Sequence, residues 1–111
     1  MIEIRRYQDA SGRKPFEVWF GALDDITAAR IALVLARLEL GNFSAIKGVG
    51  KGVFEIRFQF GPGYRVYCGK DGDRLVILLG GGTKKRQQTD IEEAQVLWRE
   101  YKQRKASGSL K

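Results

Sequence analysis

The stretch VFEIRFQF, residues 53–60, alternates apolar and polar side chains and is the clearest structural signal in this 111-residue chain. Successive side chains point to opposite faces of an extended strand, so the four apolar residues at even positions share one face. They are Phe54, Ile56, Phe58 and Phe60. The pattern predicts a β-strand with one apolar face, in which we expect Phe58 to be buried.

Two more strands are predicted directly after this one. Gly61-Pro62-Gly63 favours a turn, and residues 64–68 alternate again. A second turn at Asp71-Gly72 precedes residues 75–79, an unbroken apolar run typical of a central strand, with Leu78 expected to be buried. Together the three segments predict an antiparallel three-strand meander.

Apolar residues at helical spacing predict a helical hairpin before the meander and one helix after it. Pro15 suits the first turn of the first helix, and the acidic pair at residues 24–25 can cap the second, which stops at Gly41. For the last helix, Thr89 and Glu92 match a capping box.

The remaining segments complete a single α/β (α+β) domain over residues 1–111, a length that suits one hydrophobic core. Residues 1–7 alternate and predict a short opening strand. The glycine-rich residues 42–52 are typical of a mobile, positively charged loop, and the polar tail beyond Lys102 predicts a flexible end.

The charge of the chain favours a polyanionic partner. Twenty Lys and Arg against thirteen Asp and Glu give a net charge of +7. Nucleic acid is the commonest partner of such a domain, followed by an acidic protein inhibitor or an anionic membrane surface. One cysteine, Cys68, excludes an internal disulfide, and no apolar run approaches the ~18 residues of a membrane span, so we expect a cytoplasmic protein.

The chain contains no histidine, which excludes Ser-His-Asp, Cys-His and His-metal sites. Neither a phosphate-binding loop motif nor a strand-linked G-x-G-x-x-G is present. We therefore expect no metal and no cofactor.

A group of charged residues provides the candidate chemistry. Glu55 and Arg57 share the polar face of the first meander strand, and Arg65 lies on the next strand. If these side chains share an open surface bordered by Lys84 and Lys85, they form an anion pocket suited to RNA cleavage. In that reaction Glu55 is the natural candidate for the base that takes the 2′-hydroxyl proton, and the cations stabilise the charge on the phosphate.

Other basic and aromatic residues are candidates for RNA binding. They are Lys47, Lys51, Tyr64, Tyr67 and Arg86. Alternation puts Tyr67 on the same side as Arg65, where an exposed ring could stack on a base. On spacing alone, however, a solvated ion pair on an exposed sheet and ordinary basic loops explain the charged residues better than a catalytic site does.

The ordered set of motifs resembles the RelE/ParE superfamily of toxin–antitoxin systems. Residues 48–57 (GVGKGVFEIR) with residues 63–67 (GYRVY) resemble its central signature, and residues 77–85 (ILLGGGTKK) with Gln87 and Asp90-Ile91 resemble its closing one. The nearest branch is the HigB-like addiction module killers.

The resemblance implies a compact α/β toxin that a cognate antitoxin neutralises and, in the RelE branch, cleavage of messenger RNA in the ribosomal A site. There the arginine matching Arg65 contacts the scissile phosphate. Glu55, Arg57 and either Lys84 or Lys85 are the other matching positions. Two alternatives stay open: a ParE-like inhibitor of DNA gyrase, and a basic RNA- or protein-binding module without catalysis.

Overall fold

One mixed sheet forms the centre of the molecule. The computed structural model describes residues 1–110. The strands are β1 (Glu3–Arg6), β2 (Ile46–Gly50), β3 (Val53–Arg57), β4 (Arg65–Asp71) and β5 (Leu75–Gly82). The helices are α1 (Pro15–Gly21), α2 (Asp25–Glu39) and α3 (Gln87–Ala106), and a single 3₁₀ turn, η1, spans Lys84–Arg86.

The sheet has the order β1-β5-β4-β3-β2. Its centre is the predicted antiparallel meander of β3, β4 and β5, so the α/β fold class is confirmed. The opening strand β1 runs parallel to β5 at one edge. At the other edge β2 runs antiparallel to β3.

The strand β2 corrects the prediction of a mobile loop over residues 42–52. Ile46 pairs with Ile56 in an antiparallel ladder, and Lys47 pairs with Glu55. Gly50, Lys51 and Gly52 all have positive φ and reverse the chain into β3. The glycines therefore serve a tight turn that joins two paired strands.

Each face of the sheet carries its own apolar layer. Phe58 and Leu78, both buried as predicted, belong to the layer covered by α1 and α2. On the other face α3 packs Trp98 against Gly69 so closely that a Cβ at Gly69 would lie 2.3 Å from the indole ring. This second layer holds the start of α3 over the polar face of β3 and β4.

The bounds of α3 differ from the predicted ones at both ends. The helix begins at Gln87, so Thr89 and Glu92 lie inside it, and the predicted capping box is wrong. It continues past Lys102 to Ala106, because Arg104 in its last turns donates hydrogen bonds to the Tyr7 hydroxyl and the Gln8 carbonyl. The tail is thus helical for one more turn; Lys111 lies outside the described residues. Every helix among residues 1–110 is too short or too polar to cross a lipid bilayer.

Candidate functional site

Glu55 and Arg57 of β3 and Arg65 of β4 lie on the same face of the sheet, the one that α3 covers. Arg57 stands directly opposite Arg65 in the antiparallel register. Arg57 Nε donates a hydrogen bond to Glu55 Oε1 at 2.7 Å, and Arg65 Nε lies 3.6 Å from Glu55 Oε2. The predicted proximity of the three side chains is confirmed.

The predicted open surface is wrong, because α3 begins directly above these residues. Gln87 Nε2 donates a hydrogen bond to Glu55 Oε2 at 2.8 Å. Glu55 is 0% exposed and Arg65 is 6% exposed. Only Arg57, with 45% of its side chain exposed, presents its guanidinium to solvent.

The surroundings of Glu55 make it unsuited to the predicted role of general base. Burial raises the pKa of its carboxyl group, but the hydrogen bonds from Arg57 and Gln87 and the charges of both arginines outweigh burial, so the pKa lies below its ordinary value. Both oxygens already accept hydrogen bonds. Glu55 instead fixes the position of Arg57.

Arg65 holds the loop before β4 together. Its Nη1 donates a hydrogen bond to the Gly63 carbonyl at 2.8 Å, whereas its buried Nε has no hydrogen-bond partner among the described residues. The Nε faces Glu55 as an ion pair only. Arg65 is therefore a buried support of the site.

The predicted basic segment borders this buried centre. The Lys84 backbone N–H donates to the Pro62 carbonyl at 3.4 Å, which brings η1 against the loop that Arg65 holds. The side chains of Lys84, Lys85 and Arg86 are all exposed. We call the exposed cations of this region the cation cluster. Its members are Arg57, Lys84, Lys85 and Arg86.

The other two basic candidates, Lys47 and Lys51, differ in how close they lie to the site. Lys47 is exposed and stands directly across from Glu55 on the edge strand, so it borders the cation cluster. Lys51 lies in the β2–β3 turn, and the five residues from Val53 to Arg57 span about 13 Å of extended chain. The structure does not bring Lys51 to the site.

Neither tyrosine is an exposed stacking platform, which corrects that expectation. Tyr64 packs against Trp19 and Phe60, with ring centroids 6.4 and 5.6 Å away. Tyr67 is 1% exposed, because α3 covers the face it shares with Arg65. Aromatic burial on both faces of the sheet leaves these rings inside the apolar layers.

Two polar residues of α3 near the site were not predicted from the sequence as site residues. Gln87 binds Glu55, and Asp90 is buried over Gly82, where a Cβ would lie 2.0 Å from Asp90 Oδ2. Burial raises the pKa of Asp90. Two signals in the sequence point to them: the spacing i, i+3 puts both on one face of a helix, and a glycine inside a strand often marks a close approach.

Comparison with known proteins identifies a family whose match includes this site. The family described as phage derived protein Gp49-like matches residues 18–102. The chain belongs to this family. The Gp49-like proteins are a toxin-like family of toxin–antitoxin systems, so the toxin interpretation is confirmed at this general level.

A bacterial protein is similar to most of this chain. An uncharacterized protein of Haemophilus influenzae is 44% identical over 86 residues, which is 77% of this Gp49-like chain and 87% of the relative. The narrower assignment to the HigB-like branch stays a prediction.

Proposed function

We propose that this Gp49-like protein is the toxin of a type II system that cleaves messenger RNA on the ribosome, without a metal ion, and so inhibits translation. The observation that carries the proposal is the exposed guanidinium of Arg57, fixed by buried Glu55 and bordered by Lys84 and Lys85. The ribosome is part of the proposal because of the resemblance to RelE. The neutralising antitoxin is part of it because the chain belongs to a toxin-like family.

The cation cluster suits attack by the RNA on its own backbone. The 2′-oxygen forms a bond to the adjacent phosphorus, and the bond from phosphorus to the 5′-oxygen breaks, which leaves a cyclic phosphate and a 5′-hydroxyl. The 2′-hydroxyl loses a proton and the 5′-oxygen gains one. Arg57 binds phosphate oxygens through charge-assisted hydrogen bonds, and because Glu55 holds it in advance, it stabilises the developing charge at little cost in reorganisation.

Arg57→Ala tests this role in a translation extract, with primer extension on the message as the readout. We expect the wild type to cut the message and Arg57→Ala to cut it at least about 100-fold more slowly, the usual effect of removing one charge-stabilising donor. Arg74→Ala is the matched control, because it removes an exposed arginine from the β4–β5 turn at the opposite end of the sheet.

Thermal unfolding of both variants checks that they are folded, and Arg57→Lys shows whether charge alone restores cutting. Full cleavage by a folded Arg57→Ala protein would contradict the role of Arg57. An intact message together with inhibited gyrase supercoiling by the wild type would instead assign the protein to the gyrase inhibitors.

A further inference from the structure

A second feature lies beside the cation cluster, at the free edge of β5. Pairing with β1 ends at Leu78, and beyond it the edge of β5 is flanked by α1 and α3. There a crevice of about 230 Å³ opens. It is lined by Trp19 from α1, by Gly80 and Gly81 of the strand, and by Asp90 from α3.

Two buried polar groups in the wall of this crevice lack partners. Asp90 is 9% exposed; its carboxylate forms no hydrogen bond with any described residue, and it is not fully enclosed, so it is open to the crevice. The Tyr67 hydroxyl is buried beside the Glu55 carboxylate without a hydrogen bond of ordinary geometry. Buried polar groups are nearly always paired, so the enclosed Tyr67 hydroxyl beside an open carboxylate indicates a ligand that supplies the missing partners.

The crevice also has the shape features of a site for a flat ring. The six-membered ring of the Trp19 indole lies against the strand, since a Cβ at Gly81 would be 2.2 Å from its Cε3. A Cβ at Gly80 would meet nothing within 4 Å, so the backbone is open to close approach at this glycine. An aromatic wall beside bare backbone is suited to a stacked base.

We propose that this crevice binds a guanine base of the RNA substrate, with Asp90 accepting its two adjacent N–H groups. Guanine alone among the four bases presents a ring N–H and an amino group side by side, the arrangement that a carboxylate accepts through both oxygens. Its neighbouring carbonyl oxygen is an acceptor for the orphan hydroxyl of Tyr67. The inference rests on the proposed function, because it assumes an RNA substrate.

The position of the crevice fits a nucleotide whose phosphate contacts the cation cluster. Asp90 lies over Gly82, which is paired directly with Arg65 across β4 and β5. Arg86 lines the crevice and belongs to the cation cluster. One nucleotide can therefore reach both the carboxylate and the cations.

Calorimetric titration of the intact chain with the nucleoside monophosphates GMP, AMP, CMP and UMP tests this proposal. We expect GMP to bind about tenfold more tightly than AMP, the discrimination that one bidentate contact provides. Asp90→Asn should bind GMP only as tightly as AMP, with the affinity for AMP unchanged. Glu92→Gln, an exposed carboxylate on the same helix, should keep the preference.

A wild-type measurement covers the case in which Asp90→Asn does not fold. Inosine monophosphate is GMP without the 2-amino group, so it should bind several-fold more weakly than GMP. Equal binding of GMP, inosine monophosphate and AMP would overturn the guanine site. So would a folded Asp90→Asn protein that keeps its preference for GMP.

A separate titration tests whether the ligand is RNA. It uses a uridine hexamer that carries one guanosine. The hexamer should bind more tightly than GMP, because its further phosphates reach the cation cluster; a hexamer that binds no better than GMP would overturn the assignment to RNA. Message cleavage separates the two proposals: cleavage without guanine preference removes only the crevice, whereas guanine preference without cleavage removes only the nuclease.

Discussion

Glu55 illustrates how surroundings decide what a carboxylate does. Both of its oxygens accept hydrogen bonds, and its charge compensates buried Arg65 while it holds exposed Arg57 in place. Removing one partner of a buried ion pair is costly, because the other charge stays buried without compensation. Arg65, at 6% exposure, is the residue that would be left in this state.

We therefore expect Glu55→Gln to lower the free energy of unfolding by about 3 kcal/mol at neutral pH. The lowered pKa of Glu55 means that its stabilisation is present above the unfolded-state value near ~4.3 and is lost as the pH falls through the folded-state value. The gap between wild type and variant should begin to narrow below about pH 4, by at most about 1.4 kcal/mol for each pH unit. Denaturant unfolding from pH 7 to pH 3 measures it, with exposed Glu92→Gln as the control; a gap that does not change with pH would contradict the ionised pair.

At the scale of elements, adjacent glycines on β5 serve different purposes. A Cβ at Gly81 would overlap the Trp19 ring, whereas a Cβ at Gly80 would meet nothing within 4 Å. The close packing of α1 on β5 thus requires a glycine at position 81 but not at position 80. An added methyl group there must displace a large ring that is already packed against Phe16.

Gly81→Ala is expected to destabilise the protein by about 1–3 kcal/mol, the usual cost of overpacking, while Gly80→Ala changes stability little. Thermal and denaturant unfolding of the two variants provide the comparison. Equal melting of both variants would mean that Trp19 does not rest on β5 as described.

The same elements show what the sequence alone could predict. Alternation located β3 because one of its faces is apolar, and an unbroken apolar run located β5 because both its faces are covered. The edge strand β2 was not predicted, since two of its five residues are glycines and its ladder depends on pairing with β3. The burial of Glu55 was not predicted for a related reason. Gln87, which covers it, is 32 residues away in the chain.

At the scale of the whole molecule, the net charge of +7 has two separable effects on RNA. Overall charge speeds the encounter with a polyanion, whereas the salt dependence of affinity counts the cations that contact phosphates in the complex. The buried arginine of the site does not reach solvent, so the exposed cation cluster sets that count.

Four contacting cations predict a slope of log affinity against log salt of roughly −3 for single-stranded RNA, at about −0.7 for each contact. The double variant Lys84→Ala/Lys85→Ala should reduce this slope to about half. The control Arg74→Ala/Arg99→Ala removes the same charge from exposed positions away from the cluster. Arg99, for example, lies about 18 Å along α3 from Gln87. This control should leave the slope unchanged. Fluorescence anisotropy of a labelled RNA between 50 and 300 mM salt measures all three proteins. The position of a lost charge matters only if the RNA contacts are localised. If the arginine control reduces the slope as much as the lysine double variant does, the RNA contacts are spread over the surface.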